Sequence, residues 1–288
     1  MRSRRRRGRR QPQLRRMNAD RALLALQEAL TAPVASRALA VAVSGGVDSL
    51  TLAVVAHRTP GNDADMYHAV SAAVPAEATQ RVEGMAAREG WRLHLIDARE
   101  LHEERYVANP VNRCLHCKRS LYTTIAAHTR AQIISGANVD DLGDYRPGLN
   151  AARESAVRHP YIEAGIDKAT VRAIARRLGL GALSDLPASP CLSSRVETGI
   201  VIAAPMLGGI DRAERYLRNA VDAADVRCRV RASGVVIELD ERTLDALSET
   251  RRDELAEAVR ALISAPTSDR SPVFAPYRRG SAFVGKPA

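Results

Sequence analysis

The chain has 288 residues, enough for one large or two ordinary domains with an ample apolar core. Its formal net charge of +10 lies almost entirely in residues 1–16, which hold nine arginines and no acid, so the remainder is nearly neutral. A nearly neutral body with few aromatic residues does not favour a nucleic-acid surface, and no run reaches the roughly 18 apolar residues of a membrane span.

Residues 1–16 lack the apolar segment of a secretory signal and hold too few apolar residues to fold, so we expect a disordered arm. An RNA-binding arm is one interpretation of its charge, and a translation start at Met17 is the other. The four cysteines, in a chain without an export signal, indicate reduced thiols in the cytoplasm that serve metal or sulfur chemistry.

The first part of the chain predicts alternating helices and strands. Asn18 is a candidate cap for a helix to Leu30, and Gly90 is a candidate end for another helix. The predicted helices are 18–30, 47–57, 76–89, one following residues 109–113, and 164–178. The predicted strands are 39–43, 66–74, 91–96 and 132–136, with 160–162 as a short strand that closes the sheet. This alternation is typical of an α/β fold with a doubly wound parallel sheet, which binds ligands at the carboxyl ends of its strands.

The proline-rich stretch 184–190 interrupts the alternation, so we place a domain boundary there. A smaller α+β domain is expected beyond it, with a helix over 210–220, strands over 226–230 and 235–239, and a helix over 244–263. The predicted division is a disordered arm (1–16), a nucleotide-binding domain (17–185), a C-terminal domain (186–264) and a disordered tail (265–288).

A tight polar loop follows the first predicted strand and contains Ser44, Gly45, Gly46 and Ser49. Glycines let the backbone approach an anion, the serines add hydroxyl donors, and the next helix offers the unpaired N–H groups of its first turn. The loop lacks the lysine of a Walker A motif. Because the carboxylate of Asp48 repels phosphate, it predicts Mg²⁺ between that carboxylate and the nucleotide.

Two further stretches carry candidate ligands. Asp140 and Asp141 follow the predicted strand 132–136, the position of a ligand loop in such a fold, although a run of aspartates is also typical of a solvated surface.

Cys114 and Cys117 are close enough to share a metal, and Cys191 is a distant third ligand. This set fits an incomplete zinc site or an iron–sulfur cluster held by three cysteines, and a redox or structural thiol pair is the alternative. Cys228 alternates with charged residues and is interpreted as a buried strand residue rather than a fourth ligand.

Taken in order, these motifs resemble the LarE family of ATP-dependent sulfur transferases, within the PP-loop ATP pyrophosphatase superfamily. The resemblance extends from about residue 38 to 239 and is most specific at two motifs, Asp-Tyr-Arg-Pro-Gly (144–148) and Cys-Leu-x-Ser-Arg (191–195). The loop at 44–49 by itself is specific only to the superfamily. The family makes the nickel-pincer cofactor of lactate racemase.

The resemblance implies that ATP adenylates a carboxylate of a pyridinium-3,5-biscarboxylic acid mononucleotide, which sulfur then converts to a thiocarboxylate. It implies ATP and Mg²⁺ at the loop, with support from Asp140 and Asp141. It implies either a sacrificial Cys191 or a [4Fe-4S] cluster on Cys114, Cys117 and Cys191, and the complete cysteine set favours the cluster. Substrate-binding residues would be Arg195, Arg229 and Arg231, with Glu214 as a further catalytic candidate. A homo-oligomer is also implied.

The chain departs from the family pattern at three places: Leu186 replaces a usual lysine, Thr198 a usual tyrosine, and residues 71–74 a Thr-Ala-Asp-Ser-like sequence. These departures affect substrate identity more than adenylation. The alternative enzyme is a PP-loop tRNA thiolase, which the basic arm favours and the neutral body disfavours. A regulatory nucleotide-binding or zinc protein without turnover is the alternative outside enzymes.

Overall fold

A computed structural model of the chain describes residues 18–31, 38–143, 145–264, 270–278 and 280–282. The arginine-rich arm at 1–16 and the question of a start at Met17 lie outside the described residues. Within the described ranges, no helix combines the length and the apolar character that crossing a bilayer requires.

The larger sheet has four parallel strands in the order β3-β2-β1-β4: β1 (Ala38–Ala42), β2 (Asp63–Ala69), β3 (Arg92–Ile96) and β4 (Gln132–Ser135). In the central strand, Val41 lies between Met66 and Ile134, and all three are buried. The chain leaves β1 toward β2 on one side and returns to β4 on the other. The switch point of this doubly wound sheet is therefore at the end of β1, where ligands bind in such folds.

Helices cover both faces of this sheet and continue through the chain. They are α1 (Ala19–Thr31), α2 (Val47–Arg58), α3 (Ala76–Glu89), α4 (Glu104–Val107), α5 (Arg113–His128), α6 (Gly148–Glu154), α7 (Pro160–Glu163) and α8 (Lys168–Arg177). Their ends follow sequence signals. Asn18 Oδ1 accepts the N–H of Asp20 at 2.8 Å at the start of α1, and Gly90 ends α3 with φ 69°.

The C-terminal part contains α9 (Ala204–Ala220), β5 (Val226–Arg231), β6 (Gly234–Leu239), α10 (Glu241–Ala246), α11 (Glu249–Leu262) and β7 (Val273–Pro276). Strands β5 and β6 are antiparallel, and β7 runs parallel to β6. Buried side chains of α9, α11 and the two long strands form a second apolar core, which Ala73 and Tyr106 join from the earlier part of the chain. The predicted α/β class with a smaller C-terminal part is confirmed, whereas the boundary near residue 185 stays a prediction.

Two of the expected strands are wrong. Strand β2 is Asp63–Ala69 rather than 66–74, because it pairs along the whole of β1, while residues 71–74 form a turn closed by Val74 N–H and Ser71 O. Ala73 of this turn is buried in the second core, which explains an apolar residue here outside a strand. Residues 160–162 lie in α7, where proline occupies the first turn of the helix.

Three expectations near the ends of elements also change. The helix expected over 164–178 is shorter, because Gly165 adopts φ 67° and the Asp167 carboxylate caps the new start. The helix expected over 244–263 is divided into α10 and α11, since Ser248 caps a second start. The disorder expected from residue 265 onward is wrong for residues 273–276, which pair with β6.

Candidate functional site

The loop between β1 and α2 is folded by its own serines. The backbone N–H of Ser44 donates to Ser49 Oγ at 3.0 Å, the two hydroxyl oxygens are 3.1 Å apart, and Ser49 Oγ donates to Gly46 O at 3.1 Å. Helix α2 begins directly after Gly46, which has no side chain to cap it. The N–H groups of the first helical turn are therefore available to an anion, together with the positive end of the helix dipole.

Two glycines allow a close approach of backbone segments around this loop. Gly45 has φ 78°, and a Cβ there would lie 2.6 Å from Ala78 O on α3. A Cβ on Gly136, which follows β4, would lie 2.9 Å from the backbone nitrogen of Ser49. Both contacts are with backbone that cannot easily move, so glycine is required at both positions.

The Asp48 side chain forms an ion pair with Lys168, and Asn138 Nδ2 lies 3.4 Å from Asp48 Oδ1. The Tyr161 hydroxyl donates to the backbone oxygen of Asp48 at 3.0 Å. Burial raises the pKa of Tyr161 well above its ordinary value, so the hydroxyl stays protonated as a donor. Sequence reasoning missed Lys168 and Tyr161, because both lie more than a hundred residues from Asp48 and neither belongs to a motif.

The structure brings the predicted aspartates of the second loop to this site. Asp141 accepts the backbone N–H of Asn138 at 3.0 Å and pairs with Arg146 at 2.9 Å. Asp140 accepts the backbone N–H of Lys168 at 3.0 Å. The carboxylates of Asp48, Asp140 and Asp141 thus share the neighbours Asn138 and Lys168 at the carboxyl end of the sheet.

Helix α3 supplies a further cation that sequence reasoning missed. Arg81 Nε donates to Gly45 O at 3.0 Å, and burial lowers the pKa of this guanidinium. Arg81 also lines a cavity of about 340 Å³ with Leu50, Met85 and Leu186. Leu186, one of the departures from the family pattern, is therefore part of an apolar wall.

Cys114 and Cys117 lie in the first two turns of α5, and Cys191 precedes a short 3₁₀ turn, Leu192–Arg195. All three are unbridged and half-buried. Burial raises the pKa of the Cys114 thiol and raises that of Cys117 to about 12. The Cys191 side chain raises both further by charge repulsion, so the three sulfur atoms lie within electrostatic reach of one another.

The described residues contain no group of three His, Cys, Asp or Glu side chains close enough to hold one metal ion. A tetrahedral zinc ion needs its sulfur ligands at about 2.3 Å, so this arrangement is not a ready zinc site. A cluster of several irons is a larger body and holds its cysteines further apart. Three half-buried thiols that influence one another electrostatically are donors of the type that such a cluster needs.

Backbone and side-chain contacts fix the Cys191 segment against the first part of the chain. Leu192 N–H donates to Ala73 O at 2.8 Å, and the Ser193 and Tyr106 hydroxyl oxygens are 2.5 Å apart. Burial raises the pKa of Tyr106, and the neighbouring Cys191 and Cys117 raise it further. Ala73 follows the carboxyl end of β2, the strand next to β1, so this segment and the glycine-rich loop lie at the same edge of the sheet.

Arg195 and Glu214 form a buried ion pair, each only 1 % exposed. The guanidinium binds both carboxylate oxygens at 2.9 Å, and its third nitrogen donates to Pro190 O at 2.7 Å and to Cys191 O at 3.2 Å. Glu214 also accepts the N–H of Cys228 at 3.1 Å. Every nitrogen of Arg195 has a protein acceptor, which gives the pair a structural role. The expectations that Arg195 binds substrate and that Glu214 acts in catalysis stay predictions.

A second buried carboxylate, Glu238, engages the other two predicted arginines. Arg229 Nε lies 3.0 Å and Arg231 Nη2 lies 2.8 Å from its oxygens. Arg229 is buried and its remaining nitrogens donate to backbone carbonyls. Arg231 is half-buried and keeps the expected role in substrate binding as a prediction. Cys228 is fully buried within the second core, which confirms its interpretation as a strand residue.

A buried acid that sequence reasoning missed lies near the cysteines. Glu100 accepts a hydrogen bond from the Ser71 hydroxyl through one carboxylate oxygen. Its other oxygen is buried and has no hydrogen-bond partner in the part of the chain that the structure describes. Glu100 also raises the pKa values of Cys117 and Tyr106 by charge repulsion, which places it beside the cysteine region. Its position outside any motif explains why the sequence did not single it out.

Comparison with known proteins gives three relatives and no matching protein-family model. An uncharacterized protein of Synechocystis sp. is 41 % identical over 183 residues, covering 62 % of this chain and 68 % of that protein. An uncharacterized protein of Methanocaldococcus jannaschii is 24 % identical over 223 residues, covering 76 % and 84 %. The pyridinium-3,5-bisthiocarboxylic acid mononucleotide synthase of Lactiplantibacillus plantarum is 29 % identical over 206 residues, covering 70 % and 74 %.

The parallel sheet and the glycine-rich loop at its switch point define an α/β protein of the PP-loop type. The chain belongs to the family of the Synechocystis protein, to judge by the identity and the coverage of their alignment. The more distant similarity to the Lactiplantibacillus synthase supports the LarE family as the wider group.

Proposed function

We propose that this protein is an ATP-dependent sulfur transferase that converts a carboxylate of a pyridinium-3,5-biscarboxylic acid mononucleotide to a thiocarboxylate. One observation carries the proposal: the glycine-rich loop at 44–49 and the Cys191 segment lie at the same edge of one sheet. The loop follows β1, and Leu192 bonds to Ala73 O beyond the end of the neighbouring strand β2. The printed name of the Lactiplantibacillus relative supports this substrate class.

The loop supplies the groups that ATP cleavage between its α and β phosphates requires. The N–H groups at the start of α2, with the Ser44 and Ser49 hydroxyls, would hold the pyrophosphate portion. Mg²⁺, when bound, would neutralise phosphate charge. One or two carboxylates among Asp48, Asp140 and Asp141 would join the phosphate oxygens as the oxygen ligands that this ion prefers. The ion pair between Asp48 and Lys168 has to open for that role, which frees the Lys168 ammonium to contact a phosphate.

Activation and transfer form a balanced sequence. A substrate carboxylate oxygen attacks the α-phosphorus, the bond to the β-phosphate oxygen breaks, and pyrophosphate leaves. A sulfur nucleophile then attacks the acyl carbon and AMP leaves with the bonding electron pair, so a C–S bond replaces a C–O bond. Adenylation is needed because a free carboxylate is a poor acyl donor, and a thiolate or sulfide is nucleophilic enough to displace AMP.

The cysteine region is the proposed sulfur source. Cys114, Cys117 and Cys191 would hold a [4Fe-4S] cluster, which supplies an iron without a protein ligand where an extra sulfide can be carried. The raised pKa values of Cys114 and Cys117 mean that binding such a group releases protons. Without a cluster, Cys191 itself would be the sulfur donor: its thiolate would displace AMP to form a thioester. Loss of the Cα proton would then break the Cβ–Sγ bond, which releases the thiocarboxylate and leaves dehydroalanine at residue 191.

The proposal is tested with anaerobically purified protein, ATP, Mg²⁺ and the pyridinium dicarboxylate mononucleotide. We expect pyrophosphate release that depends on the dicarboxylate, and a product mass in which sulfur replaces oxygen. The Cys191→Ala variant should release pyrophosphate but form no thiocarboxylate. Absence of dicarboxylate-dependent pyrophosphate release from the wild-type protein would contradict the proposal.

The same preparation separates the two sulfur sources. A cluster predicts iron and sulfide in the purified protein and an unchanged protein mass after turnover. A sacrificial Cys191 predicts no iron and the loss of one sulfur atom from that residue.

The arginine-rich arm favours tRNA as an alternative acceptor. Tight binding of tRNA that persists when the chain starts at Met17, with no reaction of the dicarboxylate, would favour the tRNA thiolase instead.

A further inference from the structure

Asn109 has an unusual backbone conformation in a fully buried position. Its φ is 54°, in the left-handed region, and its side chain has no exposed surface. Asparagine tolerates this conformation better than other residues with a Cβ, since its short polar side chain makes local hydrogen bonds. Such a backbone conformation persists only where contacts with the surrounding structure hold the residue in place.

The Asn109 carboxamide joins two parts of the molecule. Its Nδ2 donates to Glu197 O at 2.8 Å and to Ile200 O at 3.0 Å, while its Oδ1 accepts from Arg113 Nη1 at 2.8 Å. Its backbone carbonyl accepts the N–H of Gly199 at 2.9 Å. The left-handed turn is what allows one residue to present both its side chain and its carbonyl to segment 197–200.

Both segments that Asn109 contacts are close in sequence to a cysteine. Arg113 is the first residue of α5, immediately before Cys114. Segment 197–200 follows the turn that carries Cys191, and its first residue bonds to β5 through Val230 O at 2.9 Å. One buried side chain therefore connects the helix of the first two cysteines to the segment of the third.

We propose that Asn109 is a positioning residue that sets the spatial relation of Cys114 and Cys117 to Cys191. The effect of Asn109 on catalysis rests on the proposed function, because only a reaction that uses all three cysteines depends on where Cys191 lies relative to Cys114 and Cys117. The relation itself is a property of the protein without ATP or substrate, so it can be measured separately.

The measurement is the rate at which a short bis-maleimide crosslinks Cys117 to Cys191 in protein freed of iron by chelation. The crosslinked peptide pair is quantified by mass spectrometry at one pH, with Cys191→Ala as the negative control. The rate is then compared among the wild-type, Asn109→Gly and Asn109→Asp proteins. Glycine keeps the left-handed backbone without the carboxamide, and aspartate keeps the acceptor for Arg113 without the Nδ2 donor.

We expect the Cys117–Cys191 crosslink to form at least about fivefold more slowly in both Asn109 variants than in the wild-type protein. Thr59→Val is the matched control, because it removes a buried hydroxyl that donates to Val55 O at the far end of α2. It should lower stability without changing the crosslinking rate. Equal crosslinking rates in the wild-type protein and both Asn109 variants would overturn the proposal.

Activity then gives a readout that a merely structural role would not move. Asn109→Gly should slow thiocarboxylate formation about tenfold or more while pyrophosphate release stays within about twofold of the wild-type rate. An equal loss of both rates would indicate a general effect on the fold and would contradict positioning. If neither protein reacts with the dicarboxylate, the proposed function fails, and the crosslinking rates still decide the role of Asn109.

Discussion

The glycine-rich loop and the cysteine region lie at the same edge of the sheet but are held in shape by different kinds of contact. The loop is six consecutive residues, 44–49, whose shape comes from contacts among themselves and from two close backbone approaches. The cysteine region combines a helix, a turn and two buried carboxylates from distant parts of the chain. Local backbone chemistry builds the first, and long-range ion pairing builds the second.

The two regions also differ in whether their hydrogen-bond donors are already engaged by the protein. At the loop, N–H groups at the helix start remain available to an anion. Around Cys191, Arg195 is neutralised by Glu214 in a buried pair and its donors hold the backbone in place. An arginine in a motif is therefore a guide to ligand binding only when its donors are not already engaged by the protein.

The largest expected effect is on the reactivity of Cys117, whose pKa is raised to about 12 mainly by burial. Alkylation requires the thiolate, so at pH 8 the folded protein should react at Cys117 about a thousandfold more slowly than the unfolded protein. By linkage, its contribution to the free energy of unfolding is lost as the pH rises from about 9 through about 12. Peptide-resolved alkylation of protein freed of iron, with and without denaturant, checks this, and equal rates would show that the fold does not raise the pKa of Cys117.

Breaking the buried pair tests the long-range region. Glu214→Gln leaves the Arg195 guanidinium buried without a negative partner, so we expect the free energy of unfolding to fall by about 3–5 kcal/mol. Chemical denaturation measures this change. Glu257→Gln, which removes an exposed pair with Arg260, is the control and should have no measurable effect. Comparable small effects from both variants would remove the structural role that we assign to the buried pair.

Gly45→Ala tests the local region. It combines a left-handed backbone with a Cβ that meets Ala78 O, so we expect a loss of about 3 kcal/mol in stability and weaker ATP binding. The control Gly90→Ala has a similar φ of 69° but open space around the Cβ, and should cost only about 1 kcal/mol. Denaturation and ATP titration calorimetry separate the two contributions. Unchanged ATP affinity in Gly45→Ala would argue against the loop as the nucleotide site.

The smallest expected effect concerns Lys168 and Asp48, which form a partly exposed ion pair. Lys168→Met frees the Asp48 carboxylate, so Mg²⁺ alone should bind about fivefold more tightly, on the order of 1 kcal/mol. Lys168→Arg retains the charge and should leave this affinity nearly unchanged. Calorimetric titration with Mg²⁺ provides the comparison, and a decrease in affinity for Lys168→Met would exclude Asp48 as a ligand of the ion.

The sequence predicted most of the sheet and the glycine-rich loop, because their signals are local. The valine-rich run of β1, the glycines after it and Gly90 at the end of α3 each report the conformation of a few neighbouring residues. Apolar runs gave wrong strand predictions where residues are buried against elements other than the sheet. Ala73 in the turn 71–74 and Tyr161 in α7 are buried in apolar cores and do not belong to strands.

By itself the sequence determined the α/β class, the loop at 44–49 and the set of residues with reactive chemistry, since residue types and short spacings suffice for these. Only the tertiary structure decided how those residues are used. It paired Arg195 and Arg229 with buried carboxylates, brought Lys168 to Asp48, and made Asn109 a link between cysteine segments. The physical reason is that charge pairing and burial depend on which distant residues come into contact, and a short sequence motif does not specify those residues.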